Sequence, residues 1–165
     1  PCCVVCKNEN TINAKPEWSQ KVTNAVVKAQ VYAQQNKAEV AHMLSDDGEG
    51  FLPMPANVVK RAMTSYADDD YAKPDAIHHP DWDNGRIDFQ PYPFPSATRF
   101  IVDAMKQTKV GGDTTFLNDL DPQFVADDLV EYRYVKEAMK QTKGWENAPG
   151  IDMKSPFKRE EVVKI

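Results

Sequence analysis

Three groups of residues carry side chains whose types and spacing could do chemistry. Cys2, Cys3 and Cys6 are the only thiols in the chain. A metal ion needs donors converging on one point. In a strand Cys2 and Cys6 share a face but lie ~13 Å apart, and Cys3 points to the other side. Val4 and Val5 favour that strand over the turn that would gather the thiols. Buried structural thiols are therefore expected, with a metal or redox role for Cys2, Cys3 and Cys6 as the lesser alternative, and an odd number of cysteines cannot all pair within the chain. The second group, His78, His79, Asp81 and Asp83, holds metal-ligand residue types at a spacing that matches no zinc or calcium signature. A solvated loop is expected there, as for Asp68, Asp69 and Asp70.

The third group is Phe89, Tyr92, Phe94 and Ser96, in the run Phe-Gln-Pro-Tyr-Pro-Phe-Pro-Ser. Pro91, Pro93 and Pro95 fix their own φ near −65° and push the residues before them toward extended geometry. The aromatic rings are thus presented on a stiff scaffold that loses little entropy on binding. Ser96 offers an N-cap hydroxyl, and Phe100, Ile101, Ala104 and Met105 recur at helical spacing. The loop therefore ends at a helix N-terminus whose amides can receive an anion. The same run also reads as a proline-rich connection that packs its aromatics into the core.

The elements that must position these residues follow from periodicity. A short strand is expected over 1–7, then helices over about 16–35, 37–45, 55–66, 96–109 and 122–143. In the first helix Trp18, Val22, Ala25, Val26, Ala29, Tyr32 and Ala33 form the apolar face. The second buries Val40, Ala41 and Leu44, and the third Val58, Val59, Ala62, Met63 and Tyr66. Phe116 and Leu117 anchor a short segment. Asp121 and Pro122 open the last helix, which is expected to bury Phe124, Val125 and Leu129. The Ala-Met-Lys-Gln-Thr-Lys run occurs twice, over 104–109 and 138–143. Lysine near a helix end with glycine following is a stop signal, so these are two similar helix ends and not a repeat. The tail over 144–165 is aperiodic and is expected to be an extended segment that lies across the surface or is partly disordered.

Composition limits the function classes. The chain has 165 residues, 41% hydrophobic and 27% charged, which fits one globular domain with a real core. Its formal net charge is −5 and it has no basic run, so nucleic acid is not an expected partner. No apolar stretch is long enough to span a bilayer, and no secretory leader pattern opens the chain. The start at Pro1, directly followed by a strand-like run, reads as part of a longer protein.

Taken together, Pro-Cys-Cys-Val-Val-Cys-Lys-Asn-Glu at the start, Leu52-Pro-Met-Pro, the run from Arg86 to Ser96, and Phe116-Leu-Asn-Asp-Leu-Asp-Pro-Gln-Phe-Val resemble the nitrate/sulfonate/bicarbonate (taurine) family of ABC-transporter substrate-binding proteins, in their C-terminal half. The resemblance covers roughly residues 1–139. It implies an α/β fold: the C-terminal portion of a two-lobed, type II periplasmic-binding-protein-like structure, mostly helical in this part. It also implies a small anionic solute, an ABC permease as membrane partner, a preceding half that completes the ligand cleft, a periplasmic location, no cofactor and no catalytic residue. Tyr92, Phe94 and Ser96 match the family's cleft-facing Tyr-Pro-Phe motif, and Phe89 is added as a neighbouring ring. Pro95 stands where relatives carry a polar or charged residue, which leaves Arg86 and Arg99 as the nearest cations. A second reading is enzymatic. Cys2-Cys3-Val4-Val5-Cys6 is similar to the cysteine run of a thiamine-pyrimidine synthase of the same fold, with valine at one cysteine position.

Overall fold

A computed structural model describes residues 4–64, 87–109, 111–148 and 151–160. The chain is mostly helical, with no strand among the described residues. The helices are α1 (Glu9–Ala14), α2 (Pro16–Gln35), α3 (Lys37–Leu44), α4 (Ala56–Thr64), α5 (Pro95–Gln107), α6 (Thr115–Asn118), α7 (Pro122–Leu129) and α8 (Tyr132–Gln141), followed by a 3-10 turn at Trp145–Asn147. No described helix is long and apolar enough to cross a membrane. Where one domain is expected, the chain divides into two compact units: Ala29–Phe89, and Pro1–Lys28 with Gln90–Ile165.

The unit Ala29–Phe89 has its own core. Ala33, Val40, Ala41, Val59 and Met63 are buried together, with Leu44 and Phe89 packed against them. α3 and α4 are the main partners. Their connection is held by backbone bonds from Leu52 N to Leu44 O (2.7 Å) and from Asp46 N to Met54 O (3.0 Å). Asp47 accepts from the amide of Ala56 at 2.7 Å and so caps the start of α4. Gly48 is required in this turn, because a Cβ there would collide with the backbone carbonyl of His42. Val58, one residue from the buried Val59, stays exposed.

In the other unit, α5 packs against α7 and α6. Asp121 accepts from the amide of Phe124 at 2.7 Å and Pro122 takes the first helical position, as their types predict. The helix expected over 122–143 is two helices. Val130 is extended (φ −119°, ψ 118°), and Glu131 caps α8 by accepting from Arg133 N. The Tyr132 hydroxyl donates to the carbonyl of Ala126 at 3.0 Å, satisfying an acceptor in the last turns of α7. α8 buries Val135, Ala138 and Met139. Gly144, at φ 106°, then turns the chain through a conformation open to glycine, and the Trp145 indole donates back to Met139 O at 2.9 Å.

Several expected faces are rotated. The strand over 1–7 is absent where it is described: residues 4–7 have no regular structure, Val4 and Val5 are exposed, and Cys6 is an exposed free thiol, not a buried one. The segment is tied down by Lys7, which donates to Ser19 O (2.7 Å) and Thr23 Oγ1 (2.9 Å). Burial lowers the Lys7 ammonium from its usual pKa. α2 buries Ser19, Val27, Val31 and, as expected, Ala33, while Trp18 and Tyr32 face out. Its polar side joins α8, with Gln20 donating to Tyr134 O (3.0 Å) and Asn24 to Gln141 Oε1 (3.2 Å). In α7 the buried residue is Ala126, whereas Phe124 is 64% and Leu129 73% exposed. A small residue on the contact side lets α7 approach α5 closely and turns the larger side chains outward. Tyr66, Asp68, Asp69, Asp70, His78, His79, Asp81, Asp83, Arg86, Cys2 and Cys3 lie outside the described residues.

Candidate functional site

The loop before α5 forms as its prolines dictate. Phe94 is extended (φ −61°, ψ 130°) and serves as N-cap, with Pro95 at the first helical position. The helix therefore starts one residue earlier than expected, and Ser96 is inside it. Its hydroxyl does not cap α5 but donates to the carbonyl of Arg159 at 3.3 Å.

Tyr92 and Phe94 are 4% and 3% exposed, and Ser96 is buried with them. The two rings meet edge to face at 5.1 Å between centroids. Tyr92 also packs on Tyr132 at 5.6 Å and on Phe157 at 4.7 Å. Phe157 stacks in turn on Trp145 at 6.3 Å. Lys136 places its ammonium 5.9 Å from the Tyr92 ring, 5.7 Å from Tyr132 and 5.4 Å from Phe157. The negative faces of aromatic rings attract a cation at this range. Arg159 lies 5.3 Å from the Phe94 ring. Burial, with the nearby Tyr132 phenol, pushes the Tyr92 hydroxyl up to about 12. Burial also raises Tyr132, reinforced by the charge of Asp127 and opposed by that of Arg99.

The sequence-predicted site residues are thus partly gathered. Tyr92, Phe94 and Ser96 share one buried cluster, while Phe89 belongs to the other unit, half-buried on the α3–α4 core with its amide donating to Gln34 Oε1 at 3.2 Å. What covers the cluster is the segment 155–160, and this was invisible to periodicity. Its only sequence signal is one aromatic, Phe157, followed by Lys158 and Arg159. The described part of the tail is not extended throughout: it runs through the 3-10 turn at Trp145–Asn147 and through turns closed by Ser155 N to Asp152 O (2.9 Å) and Lys158 N to Ser155 O (3.0 Å).

Arg99, one turn beyond Pro95, adds a third cation beside Lys136 and Arg159. Its Nη2 donates to both carboxylate oxygens of Glu160, at 2.9 and 2.7 Å, and its Nη1 donates to Gln123 Oε1 at 3.1 Å. The Gln123 amide nitrogen donates to both oxygens of Asp127, at 3.0 and 2.9 Å, which aims its carbonyl at Arg99. Asp127, Gln123 and Arg99 thus form a chain of exposed side-chain contacts that ends in a guanidinium paired with a carboxylate.

A separate shallow recess of about 290 Å³ is lined by Met105, Thr108, Asp113, Thr114 and Phe116. The carboxylate of Asp113 accepts from Thr115 N and Thr115 Oγ1, at 3.0 and 2.7 Å, which lowers its pKa. That carboxylate is engaged in its own turn. Among the described residues, no group of three or more His, Cys, Asp or Glu side chains is placed to hold a metal ion.

Comparison with protein-family models, with characterised proteins and with solved structures finds no match to this chain.

Proposed function

We propose that this chain is the C-terminal part of the substrate-binding component of an ABC importer, taking a small oxyanion or sulfonate-type solute without catalysis. In this reading a preceding half completes an α/β, type II periplasmic-binding-protein-like cleft, a membrane permease receives the solute, and the protein works outside the cytoplasm. The observation that carries the reading is Arg99: a guanidinium one turn into the helix that follows the stiff aromatic loop, oriented by Gln123 and engaged with a carboxylate. Oxyanions of the nitrate, bicarbonate and alkylsulfonate class present the same paired acceptor oxygens. The α5 N-terminus adds a favourable dipole, on the order of 0.3–1 kcal/mol for an exposed anion.

The test is thermal unfolding of the longest natural form with nitrate, bicarbonate and methanesulfonate. A ligand at one hundred times its dissociation constant stabilises by about 2.7 kcal/mol. That corresponds to a rise of roughly 5–10 °C in Tm for a chain of 150–250 residues, and to a smaller rise for a longer one. One of these anions is expected to produce such a shift. Unchanged melting with all of them refutes the reading, and absorbance from bound pyridoxal phosphate or iron points instead to the pyrimidine-synthase-like enzyme.

A further inference from the structure

We infer that the segment 155–160 is a built-in competitor at Arg99, with Glu160 occupying the position of an external carboxylate or sulfonate and Phe157 seating the segment over Tyr92. This rests on the solute-binding reading above. One short stretch covers four consecutive features of the loop and helix. Phe157 lies on Tyr92, the Arg159 guanidinium on Phe94, the Arg159 carbonyl accepts from Ser96, and the Glu160 carboxylate pairs with Arg99. Of the four residues singled out from sequence as ligand contacts, this stretch covers Tyr92, Phe94 and Ser96, while Phe89 lies in the other unit.

The chemistry of the contact sets the ligand class. Arg99 offers one nitrogen to two oxygens of the same group, a contact that suits an occupant with a pair of acceptor oxygens on one atom, as carboxylates, sulfonates and nitrate have. Its second terminal nitrogen donates to Gln123, whose amide is itself bonded to Asp127, so the guanidinium keeps one side-chain contact when Glu160 leaves. Exposure decides which partner yields: the Glu160 side chain is 63% exposed and that of Arg99 30%. Ion pairs this open to solvent are weak and screened by salt, so an external anion competes with Glu160 on realistic terms. Phe157 strengthens the internal competitor by raising its local concentration at Arg99.

The apparent affinity of a site blocked part of the time falls by the fraction of time it is open. Removing the internal carboxylate therefore tightens external binding. The experiment is calorimetric titration of the longest natural form with methanesulfonate and with nitrate, at low ionic strength, for the unaltered protein, Glu160→Gln and Glu160→Gln/Arg99→Gln. Glu160→Gln is expected to bind roughly fivefold tighter than the unaltered protein. The double variant is expected to lose that binding while keeping its near-ultraviolet circular dichroism. Phe157→Ala gives a second route, since a loosened segment also tightens binding. If the unaltered protein binds and both Glu160→Gln and Phe157→Ala bind equally well, the competitor is refuted and the solute-binding reading stands. If no variant binds either anion, both fall.

Discussion

Tyr92 makes the packing of the aromatic loop measurable through pH. Its phenol is buried among Phe94, Tyr132 and Phe157, which penalises the phenolate and moves its pKa from 10.0 to about 12. The native state thus holds this proton more tightly than the unfolded chain. Stability from this source is fully present below pH 10 and is lost as pH rises through 12. With one pKa unit equal to 1.36 kcal/mol, the loss relative to neutral pH is about 1.4 kcal/mol at pH 11 and approaches roughly 2.7 kcal/mol above pH 12. The comparison that isolates Tyr92 is Tyr92→Phe, which keeps the ring and removes the ionisation. Urea unfolding of both proteins from pH 8 to 11.5 reads the effect. The unaltered protein should lose about 1.4 kcal/mol more than Tyr92→Phe by pH 11. Parallel curves would show that Tyr92 ionises freely and that Phe157 does not seal it.

Three other perturbations probe the supports. Met139→Ala empties a position that is 1% exposed in the last turn of α8, and should cost about 2–5 kcal/mol by chemical denaturation. Gly48→Ala forces a methyl group against the His42 carbonyl and should destabilise the Ala29–Phe89 unit by roughly 1–3 kcal/mol, seen as earlier exchange of α3 and α4 amides. Asp121→Ala removes the cap on α7 and should cost about 1 kcal/mol, whereas Asp121→Asn should recover most of it.

Helix positions were legible where local chemistry fixed them. Asp121-Pro122 opens α7 as its types predict, α5 starts at Pro95, one residue before the expected 96, and α8 stops at Gln141, two residues short of the expected 143. Faces were less legible, because an amphipathic pattern ranks residues by apolarity while contact also depends on size and hydrogen bonding. Ala126 is buried in preference to Phe124, and Ser19 in preference to Trp18, since close backbone approach and the Lys7 anchor decide those contacts. The break between α7 and α8 hid inside an unbroken helical pattern because Glu131 acts through a side-chain cap. At the candidate site, the prolines announced a stiff loop, and its aromatics lie in the core. The packing reading of that run is thus met, whereas its proposed ligand contact lies beneath the tail. The cover itself is a long-range pairing of residues 92–99 with 157–160, and no local periodicity encodes it.

The most direct measurement is a crystal structure of the longest natural form grown with methanesulfonate. A sulfonate bound to Arg99, with Glu160 displaced from it, is the predicted result. A sulfonate seated elsewhere while Glu160 still holds Arg99 contradicts the assignment of this loop and helix as the solute site.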